Sequence, residues 1–162
     1  MPAPWLADPA ITAAARILQS HQLAFGAPLI APLAADATPE QWAQALFASE
    51  RVVLAHDGAD PAGDPGPRLI YANRSALRLW RRSWAELVGM PSRLTAEPGA
   101  RQERAQALLR ARSQQAIANY SGIRIDSQGR RFQIEGARVF TLFNAAGEAC
   151  GQSATFACWH WI

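Results

Sequence analysis

Between Asn73 and Glu97 the chain reads NRSALRLWRRSWAELVGMPSRLTAE, and this stretch restricts the fold more than any other. A predicted strand, Arg68-Leu69-Ile70-Tyr71-Ala72, runs straight into it. Asn73 is a good N-cap, because its side-chain oxygen can accept from a backbone N–H that the first helical turn leaves free. Ala76, Leu77 and Trp80 then recur at helical spacing. Ser83-Trp84-Ala85-Glu86 has the Ser-x-x-Glu form of a capping box, in which hydroxyl and carboxylate satisfy backbone N–H groups reciprocally. A second helix starts there, and Gly89 with Pro91 stops it within about two turns.

Upstream, Asp8-Pro9 opens a first helix whose expected inner face is Ile11, Ala15 and Leu18, ending at Gly26. GAPLIAPLAADA (26–37) is a connector packed through Leu29, Ile30 and Leu33. Thr38-Pro39-Glu40-Gln41 is another capping box and opens a helix carrying Trp42, Ala45 and Leu46. These two helices form an expected N-terminal extension over 1–49, with the core over 50–162. Arg51 to His56 reads as a strand, and Asp57 to Pro67, rich in Pro and Gly, as a surface loop.

Downstream, a helix is predicted from about Ala100 to Ala118, with Leu108, Leu109, Arg112 and Ala116 on related positions and its Arg-rich remainder in water. From Tyr120 the period becomes two: Ile123 and Ile125 alternate with Arg124 and Asp126, and Ser127-Gln128-Gly129 makes a hairpin turn. Beyond Gly136 both parities are apolar, which predicts a bulge or a strand covered on both faces. On the last strand, about 149 to 159, Gln152, Ala154, Phe156 and the two cysteines are assigned to one face, and Ser153, Thr155, Trp159 and Trp161 to the other.

At 162 residues one domain with one core suffices. No apolar run reaches the roughly 20 residues of a membrane helix, and Met1-Pro2-Ala3-Pro4-Trp5 lacks a basic region before an apolar one, so a cytoplasmic protein without a membrane partner is expected. Cys150 and Cys158 lie roughly 26 Å apart on one strand and cannot pair. All sixteen basic residues are Arg, and residues 65–162 carry a net +8 against −5 for 1–64. Arg74, Arg78, Arg81 and Arg82 are read as the solvated face of a short helix, and nucleic acid is not an expected partner.

The wording YANRSALRLW, SWAEL, PSRLTAEP, then YSGIRIDSQGRRFQIE and CGQSATF resembles the MEKHLA family, a PAS-related domain. The likeness covers nearly the whole chain, including a leading helical segment similar to stand-alone bacterial members. It implies an α+β fold: a PAS-like five-stranded antiparallel sheet with helices on one face, preceded by two N-terminal helices. It implies a sensory or regulatory module that binds a small molecule or a protein partner without catalysis, signalling through association. No activity follows from the resemblance.

The turn GMPSRLTAE occupies the place of the flavin-binding motif of light-sensing PAS domains. Ser92 stands at the photoreactive Cys and Arg93 at the Arg that meets the flavin phosphate, while Pro91 replaces an Asn. Without the thiol no flavin adduct is expected. An anion site at Arg93, Ser92 and Thr95 remains, against the plainer reading that Arg93 pairs with Glu97. Gln152, on the apolar face of a central strand, needs partners or costs about 1–3 kcal/mol; these are a ligand or structural groups. Tyr120, Asn73 and His56 would lie near the same cavity.

Catalytic signals are thin. His56 and Asp57 are sequence neighbours and point to opposite strand faces. Cys158-x-His160 has too few companions for zinc, with only His21, His56 and Cys150 left, and no metal is expected. The competing reading is a small cone-shaped α+β enzyme of hydrolase or isomerase type, using His56 with Asp126 or Glu135 in the cavity. A scaffold with a filled core is the third. A homodimer is expected, because Trp159 and Trp161, opposite Phe156, need covering by the first helix and a second copy.

Overall fold

The structure, a computed structural model, describes residues 3–162. After a 3-10 turn, helices α1 (Asp8–Phe25) and α2 (Pro39–Ala48) lead into β1 (Val52–Asp57) and β2 (Leu69–Ala72). The short helices α3 (Arg74–Trp80) and α4 (Trp84–Leu87) come next, then 3-10 turns and the longer helix α5 (Arg101–Gln114). The chain closes with β3 (Ala116–Ile125), β4 (Arg131–Phe143), β5 (Ala149–Phe156) and β6 (Cys158–Trp161). All pairings are antiparallel, in the order β2-β1-β5-β4-β3, and β6 continues β5 along β4. This is the expected α+β architecture, with the strand of residues 69–72 in the same sheet as the last strand.

The caps form as the local sequence dictates. Thr38 and Ser83 each make a reciprocal capping box, with Gln41 and Glu86 respectively. Gly26 ends α1 in the left-handed conformation, at φ 65°. In the β3–β4 hairpin the Asp126 carboxylate accepts from the backbone N–H groups of Gln128 and Arg130. Ser127 ties this hairpin to the end of α3 through the Trp80 and Arg81 carbonyls.

The sheet is covered on both faces. On the inner face α3, α4 and α5 enclose Trp80, Phe132, Ile134, Val139 and Phe156. On the outer face α1 and α2 bury Ile17, Leu46, Val53, Tyr71, Phe140 and Leu142. A second core therefore exists where one was expected, because β1 and β4 alternate between apolar residues on both faces. Their strands cannot expose either side to water without losing roughly 1.5–3 kcal/mol per large side chain.

Three face assignments change. The buried stripe of α1 runs through Ala10, Ala13, Ala14, Ile17 and His21; Ala15 and Leu18 border the groove beside α2 instead. Helix α5 ends at Gln114 and buries Arg104, Ala107, Leu108 and Ala111, leaving Leu109 exposed. At the far end, Trp159 and Trp161 pack edge-on against Phe132, an inner-face residue, so they are not under α1. Both strands turn together, β4 at Gly136, φ 64°, and its partner at Ala157: the register is kept from the Thr155–Arg138 pair to the Cys158–Glu135 pair, while the inner face passes from Val139, Ala137 and Phe156 to Ile134, Phe132, Trp159 and Trp161.

Candidate functional site

The inner face is not fully packed. A cavity of about 40 Å³ lies between β1, β3, β4, β5 and α5, walled by Leu54, Trp80, Leu108, Ile134, Val139 and Phe156. Four polar side chains also line it: His56 from β1, Tyr120 and Arg124 from β3, and Arg104 from α5. Each of the four is buried.

His56 stands where β1 shifts register against β2, after Ala55. Its Nδ1 lies 2.8 Å from the Asp57 carbonyl oxygen. Because a carbonyl only accepts, Nδ1 carries the proton and Nε2 presents a lone pair; Nε2 is buried with no partner. Burial, and then the Arg104 charge, pull the His56 pKa down to about 4. The imidazole is therefore neutral at physiological pH and serves as an acceptor.

Arg104 enters the same cavity from α5. Burial, then the Arg124 charge, draw its guanidinium down to about 9, so it remains a cation at neutral pH. Arg124 is held more closely: one terminal nitrogen donates to the Ile123 carbonyl at 2.8 Å and the other to the Tyr120 hydroxyl at 3.1 Å. The Tyr120 hydroxyl in turn donates to Glu103 Oε2 at 3.0 Å, and burial raises its pKa. Among the described residues no carboxylate oxygen comes within 4.0 Å of either guanidinium. Two cations thus share a small, largely apolar chamber without a counter-ion.

Gly122 makes this arrangement sterically available. A Cβ there would stand 2.5 Å from the Tyr120 hydroxyl and 2.8 Å from an Arg124 nitrogen. Arg124 can fold back over the bare backbone, its guanidinium 5.6 Å from the Tyr120 ring centre.

Of the residues singled out from sequence, His56 and Tyr120 meet in this cavity. The other four stand elsewhere. Asn73 is fully buried, and its side chain bonds to Val53, Ala76, Arg51, Leu46 and Ser49 backbone groups, tying β1, α3 and the end of α2 together. Gln152 donates to the Leu108 carbonyl at 3.0 Å and borders a separate 60 Å³ hollow with Thr141 and Arg112. Ser92 is buried, its N–H bonded to the Pro67 carbonyl and its hydroxyl unpartnered. Arg93 points outward and pairs at 3.0 Å with Asp64 of the long loop, while Glu97 pairs with Arg131. The residues of the enzymatic alternative are dispersed: Asp126 holds the hairpin and Glu135 lies on the surface near His160.

Arg104 and Arg124 carry the site and were assigned to the solvated faces of their elements. Arg104 falls three and four residues before Ala107 and Leu108 and seven before Ala111, a helical stripe on which an Arg is read as a break rather than a member. The signal for Arg124 is Gly122, midway between Tyr120 and Arg124 on one strand parity.

A model of the MEKHLA domain matches residues 11–161. The chain belongs to the MEKHLA domain family. Among curated proteins none matches it in sequence. Solved structures share the fold of this MEKHLA domain at low identity. The PAS domain of a protein from Colwellia psychrerythraea is 15% identical, with a TM-score of 0.62 over 76% of this chain and 95% of that one. A second, described as an RNA-binding light-oxygen-voltage receptor, is 19% identical at a TM-score of 0.60, covering 78% of this chain and 36% of that one. A third, a light-oxygen-voltage domain studied with a flavin analogue, is 14% identical at 0.56, covering 74% and 83%. The MEKHLA interior does not fit a flavin, since ring-sized ligands occupy pockets of about 300–1,000 Å³ and this cavity is about 40 Å³.

Proposed function

We propose that this MEKHLA domain is a sensory or regulatory module that takes a small molecule into the cavity beneath α5 and does not turn it over. One observation carries the reading. Arg104 and His56, both more than nine-tenths buried, line one cavity, and among the described residues Arg104 makes no ion pair and His56 Nε2 has no hydrogen-bond partner. Unmet polar groups inside a core are destabilising by about 1–3 kcal/mol each, and more for charges. Such a group persists where something outside the chain meets it. Native mass spectrometry of freshly purified protein is expected to show a retained small molecule. A bare-chain mass, together with no thermal shift from any compound in a metabolite panel, would remove the ligand from this reading.

The same proposal takes the protein as cytoplasmic, in keeping with the free Cys150 and Cys158. No helix among the described residues is long and apolar enough to cross a membrane. Nucleic acid is left out: Arg74 donates to the Ala48 carbonyl, Arg81 to Gln128 and Arg68 to the Gly89 carbonyl, so these arginines serve the fold. We further propose a homodimer. Since α1 and α2 lie on the outer sheet face, the second copy would meet their exposed side, where Leu23 is 73% exposed.

A further inference from the structure

We infer that the cavity beneath α5 is a receptor for a compact oxyanion bearing one hydroxyl hydrogen, either a short 2-hydroxycarboxylate or hydrogen phosphate, held between Arg104 and Arg124 with its O–H donated to His56. This rests on the ligand-binding reading above and names the class of ligand.

The unmet groups define the complement. Trp80 Nε1 already donates to the Thr95 carbonyl and the Ser153 hydroxyl to the Leu54 carbonyl. The Tyr120 hydroxyl both donates, to Glu103, and accepts, from Arg124. Among the described residues, His56 Nε2 has no partner, and the two guanidiniums that line the cavity, Arg104 and Arg124, have no ion pair. Two guanidiniums require negative charge, and a planar or tetrahedral oxyanion accepts from both at once. His56 cannot supply a proton, because its one N–H is committed to the Asp57 carbonyl; its partner must be a donor. Glu103, at the exposed start of α5, is the acid beside this cluster and is occupied by Tyr120. Its charge supports the Arg104 cation, but less than burial, Arg124 and Tyr120 bear on it.

Size sets the upper limit. A chamber of 40 Å³ has room for about three waters, whose share of liquid is about 90 Å³. That is the space of an anion of about five heavy atoms. Glycolate and hydrogen phosphate both have this size, and both offer anionic oxygens plus one O–H. Acetate and sulfate match them in bulk and lack the donor at neutral pH.

Titration calorimetry on the whole chain at pH 7, at constant ionic strength, with sodium glycolate, acetate, phosphate and sulfate, is the test. One site per chain is expected, with glycolate tighter than acetate, or phosphate tighter than sulfate, by about tenfold. The pair that separates identifies the source. His56→Leu should erase that preference while the anion still binds. Arg104→Met, which keeps the bulk of the side chain, should abolish anion binding with an unchanged near-ultraviolet circular dichroism spectrum. Arg104→Lys, a second variant that keeps the charge, should retain weakened binding. Equal affinity for all four anions, or binding undiminished in Arg104→Met, overturns the inference. If native mass spectrometry finds a retained neutral compound and no anion binds, the inference falls while the sensory reading stands. If nothing binds at all, both fall.

Discussion

Replacing Asn73 by Ala should be among the most destabilising single changes in the chain, and the structure gives its size. Asn73 Oδ1 accepts from Ala76 N–H at 3.1 Å, capping α3, and from Val53 N–H at 3.0 Å. Its Nδ2 donates to the Arg51 carbonyl at 2.7 Å and lies 3.3 and 3.4 Å from those of Leu46 and Ser49. Loss of a cap costs about 1 kcal/mol. Each buried group left without a partner, here at least Val53 N–H and the Arg51 carbonyl, costs about 1–3 kcal/mol more. The total is about 4 kcal/mol, which for a domain of this size lowers Tm by on the order of 10 °C. Urea denaturation followed by circular dichroism would measure it. Asn73→Asp should do no better, because a carboxylate keeps the two accepted bonds but turns an anion toward three carbonyls. Ser75→Ala, which loses only the 2.8 Å bond to the Ser49 carbonyl, is the control at about 1 kcal/mol. A Tm for Asn73→Ala within about 3 °C of the parent would refute this account of Asn73.

The remaining expectations concern pH, the cavity wall and assembly. With a folded pKa of about 4 against an ordinary 6.5, His56 is neutral in both states above pH 6.5. As pH falls the unfolded chain takes up the proton first, so stability drops by about 2 kcal/mol between pH 6.5 and 5. His21, also held below its usual value by burial, adds to the fall; the slope should flatten in His56→Leu, and an unchanged slope would contradict the assignment. Gly122→Ala should leave Tm within about 3 °C, because the displaced atoms are side-chain ends, yet it should weaken anion binding by shifting Tyr120 and Arg124; unaltered binding would show that Gly122 does not shape the site. Sedimentation at micromolar concentration should give a dimer that Leu23→Glu dissociates and Trp161→Ala does not, and a monomeric parent would end the dimer proposal.

What could be read from the sequence was what is decided within four residues. The capping boxes at Thr38 and Ser83, the Asn73 cap, the Gly26 stop and the hairpin at Ser127-Gln128-Gly129 depend on a side chain meeting its own local backbone, and each forms. Faces were harder. The parity of β6 depends on a break at Ala157, where it changes face together with β4 at Gly136, and the register of β3 against β4 shifts around Asn119, at φ 58°. A periodic reading carried across such a point inverts, as for Trp159 and Trp161; Arg124 instead shares the buried parity of Tyr120, and the apolar Ile123 and Ile125 point the reading to the wrong face. Arg104 was missed for a different reason. An Arg among Gln, Glu and Arg suggests water, and only the packing of α5 against β3 and β4 turns that particular residue inward.

The division of the sheet into two covered faces bears on how a ligand in the cavity would be felt elsewhere. Val139 and Ala137 on β4, with Ala154 and Phe156 on β5, wall the cavity on the inner side. The same strands carry the outer ties of the N-terminal region: Arg138 donates to His21 Nε2 at 3.1 Å, Phe143 N–H to the Ser20 hydroxyl at 3.1 Å and Arg51 to the Thr155 hydroxyl at 3.4 Å. Successive residues on one strand therefore touch the cavity and the seat of α1. Close-packed interiors transmit small displacements instead of absorbing them, so any shift of β4 or β5 on filling the cavity would be felt at the bonds that hold α1. A ligand changes the state of a protein only by the difference in its affinity for two arrangements. If the cavity takes a ligand, α1 is the element to test for a second arrangement, since polar contacts at Ser20 and His21 and a stripe made largely of alanines hold it to the sheet, and alanines bury little apolar surface for each turn of helix.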